Sequence, residues 1–525
     1  MNRKPFIAFM FFILIISIMM FGIGCAEDAV FPGNEAEKQP ERITSNIVSI
    51  PIERVRTLNP LLSLDEDTYF LNKLILEGLF TLNDNLEAVG VLADSYEYEA
   101  DGRSMQVRLK EGIIWEDGTA FTAEDVKFSI DAYKSVSSAQ QGSYGPFIEL
   151  IRSAKVIDPL TVQIQFTDAG NATVENLVFP ILPSHKYGRP SDLARDTSNY
   201  IPMGTGPYIV SDIEEGKQIT LSGNPHYRGT VPKNILLFKF MPNKEEAVNL
   251  FDVGEINLAF LRAINRNTLV EDKVVKMVSF PSNEVEVLGF NFSHGALQNR
   301  GLRQAIAHAV DNQMILETCY YNNGILNQTI FYPGYRGIES EGALYGYDLD
   351  KAASLLKASG YEGLSLSLVF NAENHARNLA AKIIKSGLEK VGISVTLVPL
   401  ENEDYYTAIS RGDFDLYLGG FRFSENYDLR PVLQSDGEYN YIRYSDARMD
   451  GLLDELQRGV SAEQKRKTSQ SIHELYVKEI PYYCILYKTC GIAASVDLTG
   501  EIEPYFYHIY HGSEDWRVTY VKPEE

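Results

Sequence analysis

The sequence predicts an α/β protein that is divided into two or three lobes. The chain has 525 residues, which exceeds what one hydrophobic core usually covers. Between residues 348 and 420, strand-like and helix-like segments alternate. Connections of this length join parallel neighbouring strands by right-handed crossovers. Open sheets of this kind bind ligands beyond the carboxyl ends of their strands, which places a candidate site there.

Six segments make up this alternation. The first is a helix, DLDKAASLLKASGY, in which Ala352, Leu355 and Leu356 face inward and Gly360 ends the helix. A strand follows in LSLSLVF, where apolar residues alternate with serine. The remaining four are the helix ARNLAAKIIKSGLEKVG, the strand ISVTLVPL, the helix EDYYTAISRG and the strand DFDLYLGG.

An earlier block, residues 101–134, also has a clear local pattern. Apolar residues alternate in MQVRL and predict a half-buried strand. Asp117 and Gly118 predict a turn. Thr122 and Asp125 have the spacing of a capping box, so we expect a helix to begin there.

The N-terminus is typical of an export signal. Arg3 and Lys4 precede an apolar run from Phe6 to Ile23, and small residues stand directly before Cys25. The run is long enough to span a bilayer, so an uncleaved anchor is the alternative. The small residues and cysteine resemble the lipobox of bacterial lipoproteins, which implies that Cys25 carries lipid after cleavage. With either signal, most of the chain lies outside the cytoplasm.

Composition argues against a nucleic-acid partner and against a framework of disulfide bonds. The formal charge of −23 argues against a nucleic-acid partner, because phosphate binding needs a clustered basic surface. Residues 26–44 lack apolar periodicity and predict a flexible tether. Beyond Cys25 the chain has three cysteines, and this odd number argues against a disulfide framework. We expect Cys484 and Cys490 to be buried free thiols, with one bridge between them as the alternative.

The stretch LYLGGFRFSENYDLRP, residues 416–431, begins as a buried strand and then changes to aromatic and polar residues. A surface loop with a few tucked aromatic rings would account for this pattern. A ligand-binding wall would account for it equally. The position directly after a predicted strand favours the wall, although any loop that follows a strand shares it.

Several blocks, in order, resemble the solute-binding proteins of ABC importers, specifically extracellular family 5 of the oligopeptide, dipeptide and nickel type. The similarity runs from about residue 45 to 515. The blocks are residues 57–134, GTGPYIV at 204–210, GNPHYRG at 223–229, LFDVGEINLAF at 250–260, residues 289–315, residues 347–361 and GDFDLYLGGF at 412–421.

The resemblance implies a two-lobed clamshell of the class II periplasmic-binding type, with an extra subdomain inserted in the first lobe. Two chain crossings near residues 280 and 487 would form the hinge. Closure would trap a solute, which a membrane permease then receives, without catalysis, metal or cofactor and as a monomer. The implied parts are a signal peptide at 1–24, a tether at 25–44, lobe 1 at 45–82, 203–280 and 488–525, the inserted subdomain at 83–202, and lobe 2 at 281–487.

The sequence departs from the family at the expected peptide amine site. Peptide-binding members read Gly-Trp-x-x-Asp after this strand, and the Asp pairs with the α-amino group of the peptide. Here the run is Gly420-Phe421-Arg422-Phe423-Ser424, so Ser424 replaces that carboxylate. Glu425 or Asp428 could substitute for it. Arg422 could grip a carboxylate or phosphate, or form an ion pair with Glu425 or Asp428.

The expected solute contacts combine this loop with one residue of the first lobe. Short peptides are the leading solute class. The predicted binding residues are Phe421, Arg422, Ser424, Glu425, Tyr427, Asp428 and Tyr69, the last from the stretch SLDEDTYF.

Three alternatives remain open at this point. His508 and His511 have i,i+3 spacing and could bind metal from a helix. A receptor of the same fold could sense a peptide or nutrient rather than import it. An exported hydrolase is disfavoured, because the sequence has no nucleophile elbow, zinc-protease motif or obvious carboxylate pair.

Overall fold

The computed structural model describes residues 42–53, 55–195, 200–242, 250–251, 254–262, 275–327, 329–338, 345–459 and 461–521. The predicted export signal and the predicted lipid site, Cys25, lie outside these residues. Contacts group residues 44–520 into one unit. None of the helices in the described ranges is long and apolar enough to cross a membrane.

The strands vary in length from short bridges to two long strands. In chain order they are β1 (Arg42–Ser45), β2 (Ile47–Ile52), β3 (Phe80–Leu82), β4 (Ala88–Gly90), β5 (Ala93–Tyr98), β6 (Ser104–Leu109), β7 (Ile151–Asp158), β8 (Thr161–Phe166), β9 (Tyr208–Glu214), β10 (Gln218–Gly223), β11 (Ile235–Phe240), β12 (Leu258–Leu261), β13 (Val275–Phe290), β14 (Gly324–Ile325), β15 (Ser365–Asn371), β16 (Ser394–Leu400), β17 (Leu416–Arg422), β18 (Tyr482–Ser495), β19 (Leu498–Thr499) and β20 (Arg517–Val521).

The helices pack around these sheets. They are Glu66–Ile75, Ala123–Lys134, Gly145–Glu149, Pro190–Leu193, Arg300–Ala309, Asn312–Cys319, Leu349–Ser359, His375–Lys390, Asn402–Arg411, Arg430–Leu433, Ala447–Arg458 and Ala462–Glu479.

The largest sheet has seven strands and carries the alternation that the sequence predicts. Its order is β12-β18-β13-β17-β15-β16, and β14 pairs with β18. β15 runs parallel to both β16 and β17, while β17 is antiparallel to β13. The predicted helices and strands between residues 348 and 420 are therefore confirmed, including the parallel neighbours. Gly360 ends its helix with a φ of 78°, a conformation that glycine adopts without steric cost.

Two smaller sheets are formed by earlier parts of the chain. One has the order β2-β11-β10-β9 and the other β5-β6-β8-β7. The predicted strand in MQVRL is β6, and the helix after it begins with the predicted capping box of Thr122 and Asp125. Gly118 has a φ of 86° in the predicted turn. Local sequence patterns therefore account for this block.

β13 and β18 are the two long strands, and they pair with each other along most of their length. Their register shifts between Pro281 and Val285. The two hinge crossings predicted near residues 280 and 487 fall close to this shift. An interrupted ladder gives a local bend in such strands.

Apolar side chains form two large buried clusters. One spans the two smaller sheets and includes both tryptophans, Trp115 and Trp516. The other lies between the seven-stranded sheet and its helices and includes the fully buried Leu368 and Ile384. Among the described cysteines, Cys484 and Cys490 are buried and free, as predicted. Burial raises the pKa of the Cys484 thiol to about 12, so it is not a reactive thiolate.

Candidate functional site

The candidate loop, residues 423–431, follows the carboxyl end of β17, which is an interior strand of the seven-stranded sheet. The end of this strand needs glycine at Gly420, because a Cβ atom there would lie 2.5 Å from the carbonyl oxygen of Val285. After Arg422 the chain turns, and Tyr427 has a φ of 49°. The backbone of the loop is thus fixed by close packing of Gly420 against β13 before it and by the left-handed conformation of Tyr427 within it.

Glu425 is buried and binds two side chains that lie more than 350 residues earlier. Its Oε1 accepts a hydrogen bond from Lys73 Nζ at 2.6 Å, and its Oε2 accepts one from the Tyr69 hydroxyl at 2.8 Å. Glu425 is 4% exposed and Lys73 10%. We call Tyr69, Lys73 and Glu425 the clasp. It joins the segments that the sequence assigns to lobe 1 and lobe 2.

The helix Glu66–Ile75 presents both partners of Glu425 on one face, because residues four apart are neighbours on a helix surface. Lys73 Nζ also lies 5.2 Å from the centre of the Tyr69 ring, within the range of a cation–π contact. Burial and the charge of Glu425 raise the pKa of Tyr69 well above its ordinary value. The Tyr69 hydroxyl therefore stays protonated and donates to the carboxylate.

Arg422 pairs with Glu284 on the neighbouring strand. Its Nη2 lies 2.5 Å from Glu284 Oε1. β13 and β17 pair antiparallel with Glu284 directly opposite Arg422, so the two side chains share one face of the sheet. Arg262 and Lys488 bind the same carboxylate at 3.1 and 3.0 Å. Arg422 itself is 63% exposed.

The ion pair considered for Arg422 thus forms, but with a different partner. Asp428, which the sequence offered as one candidate, is bound by Arg430, whose Nη2 lies 2.6 Å from Asp428 Oδ2. Glu425, the other candidate, is bound in the clasp. The sequence interpretation looked for a partner within the loop, whereas the partner comes from the adjacent strand.

The Glu284 site makes stability depend on pH. Burial alone would raise the pKa of Glu284, but Lys488 and Arg422 lower it from an ordinary 4.5 to about 2. A carboxylate with a lowered folded-state pKa stabilises the fold above its ordinary pKa, and this contribution is lost as the pH falls from about 4.5 to about 2. We expect Glu284→Gln to lower the free energy of unfolding at pH 7 by about 1–2 kcal/mol, a value reduced by the exposure of Arg422.

Urea unfolding of the variant between pH 2 and pH 7 tests this expectation. Glu284→Gln should show a flatter pH profile than the wild type below pH 4.5. Glu214→Gln, which removes an exposed carboxylate paired with Lys217, is the matched control and should follow the wild type. Parallel profiles for the wild type and Glu284→Gln would contradict the assignment.

The other loop residues differ in exposure. Ser424 is exposed, and its hydroxyl donates to Asn426 Oδ1 at 2.7 Å. Asn426 in turn donates to Asn176 Oδ1 at 2.9 Å, a second link from the loop to an early segment. Phe421 is half-buried and packs edge-on against Tyr482, with 5.3 Å between ring centres.

Tyr427 is placed differently from the sequence expectation of a solute contact. Its side chain is buried, and its hydroxyl donates to the carbonyl oxygen of Ile330 at 2.6 Å and contacts the Tyr487 hydroxyl. Its ring lies 4.7 Å from that of Phe423 and 4.9 Å from that of Tyr335. The left-handed turn directs this ring into the core, so the placement supports packing rather than stacking on a solute.

A cavity of about 730 Å³ borders the clasp at Lys73. This volume is within the range of small-molecule sites. Its wall comes from segments 73–91, 178–180 and 503–514, with Tyr144, Pro207 and Tyr227. Tyr144 is 2% exposed, and its hydroxyl has no hydrogen-bond partner among the described residues. The wall thus combines aromatic and aliphatic side chains with the carboxyl side chains of Glu77, Asp84, Glu503 and Glu514.

The two histidines of the cavity wall do not lie on a helix, so the alternative of a metal site on a helix is wrong in this respect. The backbone N–H of His508 bonds to the carbonyl oxygen of Tyr505, and that of His511 to His508, which makes consecutive tight turns. Burial, His511 and Lys73 lower the pKa of His508 to about 3, so it is neutral near pH 7. Within the described ranges, no group of three or more His, Cys, Asp or Glu could hold a metal ion.

Sequence reasoning brought Tyr69 and Glu425 into one site, and the structure places them in contact. It missed Lys73, Glu284 and Tyr144. A lysine four residues after Tyr69, within the apolar run FLNKLIL, was the available signal for Lys73. Glu284 gave no signal, because its role depends on strand register.

Comparison with known proteins gives a consistent family. The model of bacterial extracellular solute-binding proteins, family 5 Middle, matches residues 87–436. Heme-binding protein A of Haemophilus influenzae is 24% identical over 80% of this chain and 83% of its own length. Oligopeptide-binding protein AppA of Bacillus subtilis is 22% identical over 97% of each chain.

Solved structures agree with this fold. The structure of a nickel ABC transporter protein from Bacillus halodurans superposes on this chain with a TM-score of 0.78 and 19% sequence identity. The match covers 90% of this chain and 100% of that chain. The fold class predicted from the sequence, a two-lobed α/β clamshell, is confirmed by such neighbours. The family model spans well over half of the chain. The chain belongs to the bacterial extracellular solute-binding proteins of family 5, the substrate-binding components of ABC importers.

Proposed function

We propose that this protein captures a short peptide between its two lobes and delivers it to a membrane permease. The observation that carries the proposal is the clasp, in which Glu425, from the segment assigned to lobe 2, meets Lys73 and Tyr69, from the segment assigned to lobe 1. A contact between segments of different lobes is what closure over a solute requires. Relatives named for oligopeptide and dipeptide binding support the peptide class.

Several side chains of the candidate loop orient the solute. Phe421 supplies apolar contact, while Ser424 and Arg422 are exposed and supply hydrogen bonds. Glu425 and Tyr69 act through the clasp, and Asp428 fixes the loop through Arg430. Binding is non-covalent, so the solute leaves unchanged.

We propose further that lipid on Cys25 holds the protein at the outer face of the cytoplasmic membrane, at the cell surface or in the periplasm. The basic residues, apolar run and small residues before Cys25 support this placement. A tether of residues 26–44 then lets a monomer reach its permease.

Incubation of residues 26–525 with a pool of short peptides tests capture. After gel filtration, mass spectrometry of the protein fraction should find intact peptides at about one per protein, as expected for one cleft between two lobes. Cleavage products would instead support an exported hydrolase. An empty protein fraction would overturn peptide capture. A sensing role differs in the cell, because it survives deletion of the permease.

A further inference from the structure

The clasp places an ammonium group of the protein itself, that of Lys73, on the Glu425 carboxylate. Both oxygens of Glu425 already accept hydrogen bonds, one from the Lys73 ammonium and one from Tyr69. Asp428 is likewise bound by Arg430 through both of its oxygens. The two loop carboxylates that could replace the family's amine-binding residue therefore already have cationic partners.

A solute ammonium could reach Glu425 only by displacing Lys73. That would leave the Lys73 ammonium, 10% exposed, without its carboxylate partner. Its surroundings include the Tyr69 ring and the buried, neutral His508. An unpaired cation in such a place is strongly unfavourable. Two ammonium groups on one carboxylate would also repel each other.

The cavity offers hydrogen-bond donors close to this pair. Lysine has three N–H donors, and the bond to Glu425 uses one of them. Lys73 and Tyr144 both line the cavity, and the Tyr144 ring lies 5.8 Å from that of Tyr69. The buried Tyr144 hydroxyl has no partner among the described residues. The wall also holds carboxyl side chains, those of Glu77, Asp84, Glu503 and Glu514. The match to a carbonyl oxygen rather than a cation is therefore confined to the end of the cavity at Lys73.

We propose that Lys73 determines specificity by occupying the ammonium site, so that the protein selects peptides whose amino terminus is acylated. This inference rests on the proposed function and names its substrate class. The acyl carbonyl accepts a hydrogen bond from the Lys73 ammonium. A free amino terminus is rejected because its charge meets that of Lys73.

Calorimetry with one tetrapeptide in three forms tests the proposal: free, N-acetylated and N,N-dimethylated. The dimethyl form keeps the positive charge and adds bulk, so it separates charge from size. At pH 6.5 the free α-amino group is protonated. We expect the wild type to bind the acetylated form at least about tenfold more tightly than both charged forms.

Two variants of the clasp complete the test. In Lys73→Met the Glu425 carboxylate is freed, and the preference should reverse toward the charged forms. If that single variant does not fold, the double variant Lys73→Met with Glu425→Gln removes both charges, and its discrimination by charge should disappear. Circular dichroism and thermal melting report folding in each case.

The possible outcomes separate this inference from the proposed function. Equal or tighter binding of the free peptide by the wild type would overturn the role of Lys73 and leave peptide capture intact. Discrimination that persists unchanged in the variants would also overturn it. If neither the wild type nor any variant binds any form of the peptide, both the role of Lys73 and peptide capture are overturned.

Discussion

Glu175→Gln is expected to lower the free energy of unfolding by about 3–5 kcal/mol. Glu175 lies in a buried ion cluster with Arg336 and Lys465, at 2.6 and 2.5 Å, and the Thr173 hydroxyl also donates to it. The Glu175 side chain is only 7% exposed. Glutamine would keep the shape but leave two buried cations without a counter-charge, which is the costly case for a buried ion pair.

The pH dependence of this cluster has a definite sign. Burial would raise the pKa of Glu175, but Lys465 and Arg336 lower it below its ordinary value. The carboxylate is therefore ionised in the folded protein, and its stabilisation is present above the ordinary pKa and lost as the pH falls through the lowered one. The difference between the wild type and the variant should thus persist at neutral and mildly acidic pH.

Urea unfolding at pH 7 measures the effect of Glu175→Gln. The matched control is Glu463→Gln, on the same helix as Lys465, whose exposed carboxylate binds Arg466 and Lys467 at the surface. The control should unfold like the wild type. A loss below about 1 kcal/mol for Glu175→Gln would contradict the role of the cluster in joining the segment around Glu175 to the helix Ala462–Glu479.

Glu286→Gln is expected to have the second largest effect, lowering the free energy of unfolding by about 2–4 kcal/mol. Glu286 lies on β13 and is buried, with Arg377 Nε at 2.9 Å and Lys488 Nζ at 2.9 Å. Lys488 keeps Glu284 as a partner after the substitution, at 3.0 Å. Arg377 loses its carboxylate while it remains mostly buried, so it accounts for most of the expected loss.

Thermal and urea unfolding of Glu286→Gln check this expectation. Glu389→Gln is the control, because it lies on the same helix as Arg377 and removes an exposed pair with Lys385. It should leave stability unchanged within error. Burial would raise the pKa of Glu286, but Arg377 and Lys488 lower it, so the loss should again be present at neutral pH and shrink in strong acid. A variant as stable as its control would count against this ion pair as a support for the sheet.

Short-range patterns explain why much of the fold could be predicted. Residues such as Thr122 with Asp125, or Gly360 at a helix end, act within one turn of backbone, so sequence spacing alone indicates them. The alternating helices and strands before β17 are also local patterns, each with its own apolar face. Their parallel pairing then follows from the crossovers that connect them.

The site was less predictable because its contacts join distant residues. Lys73 and Glu425 are 352 positions apart, and Arg422 and Glu284 are 138 apart. No periodicity encodes such pairs, since they depend on strand register and on how the segments pack. The alternative of a helical metal site at His508 and His511 failed for a related reason, because i,i+3 spacing occurs in consecutive turns as well as in helices. Tertiary packing thus decided what the loop residues bind.

Native mass spectrometry of the protein as purified, before and after mild unfolding, tests peptide capture most directly. The account predicts a protein that carries non-covalent mass, which unfolding releases as a distribution of short peptides. A single defined small molecule that is not a peptide, or a protein that carries no solute at all, would contradict it.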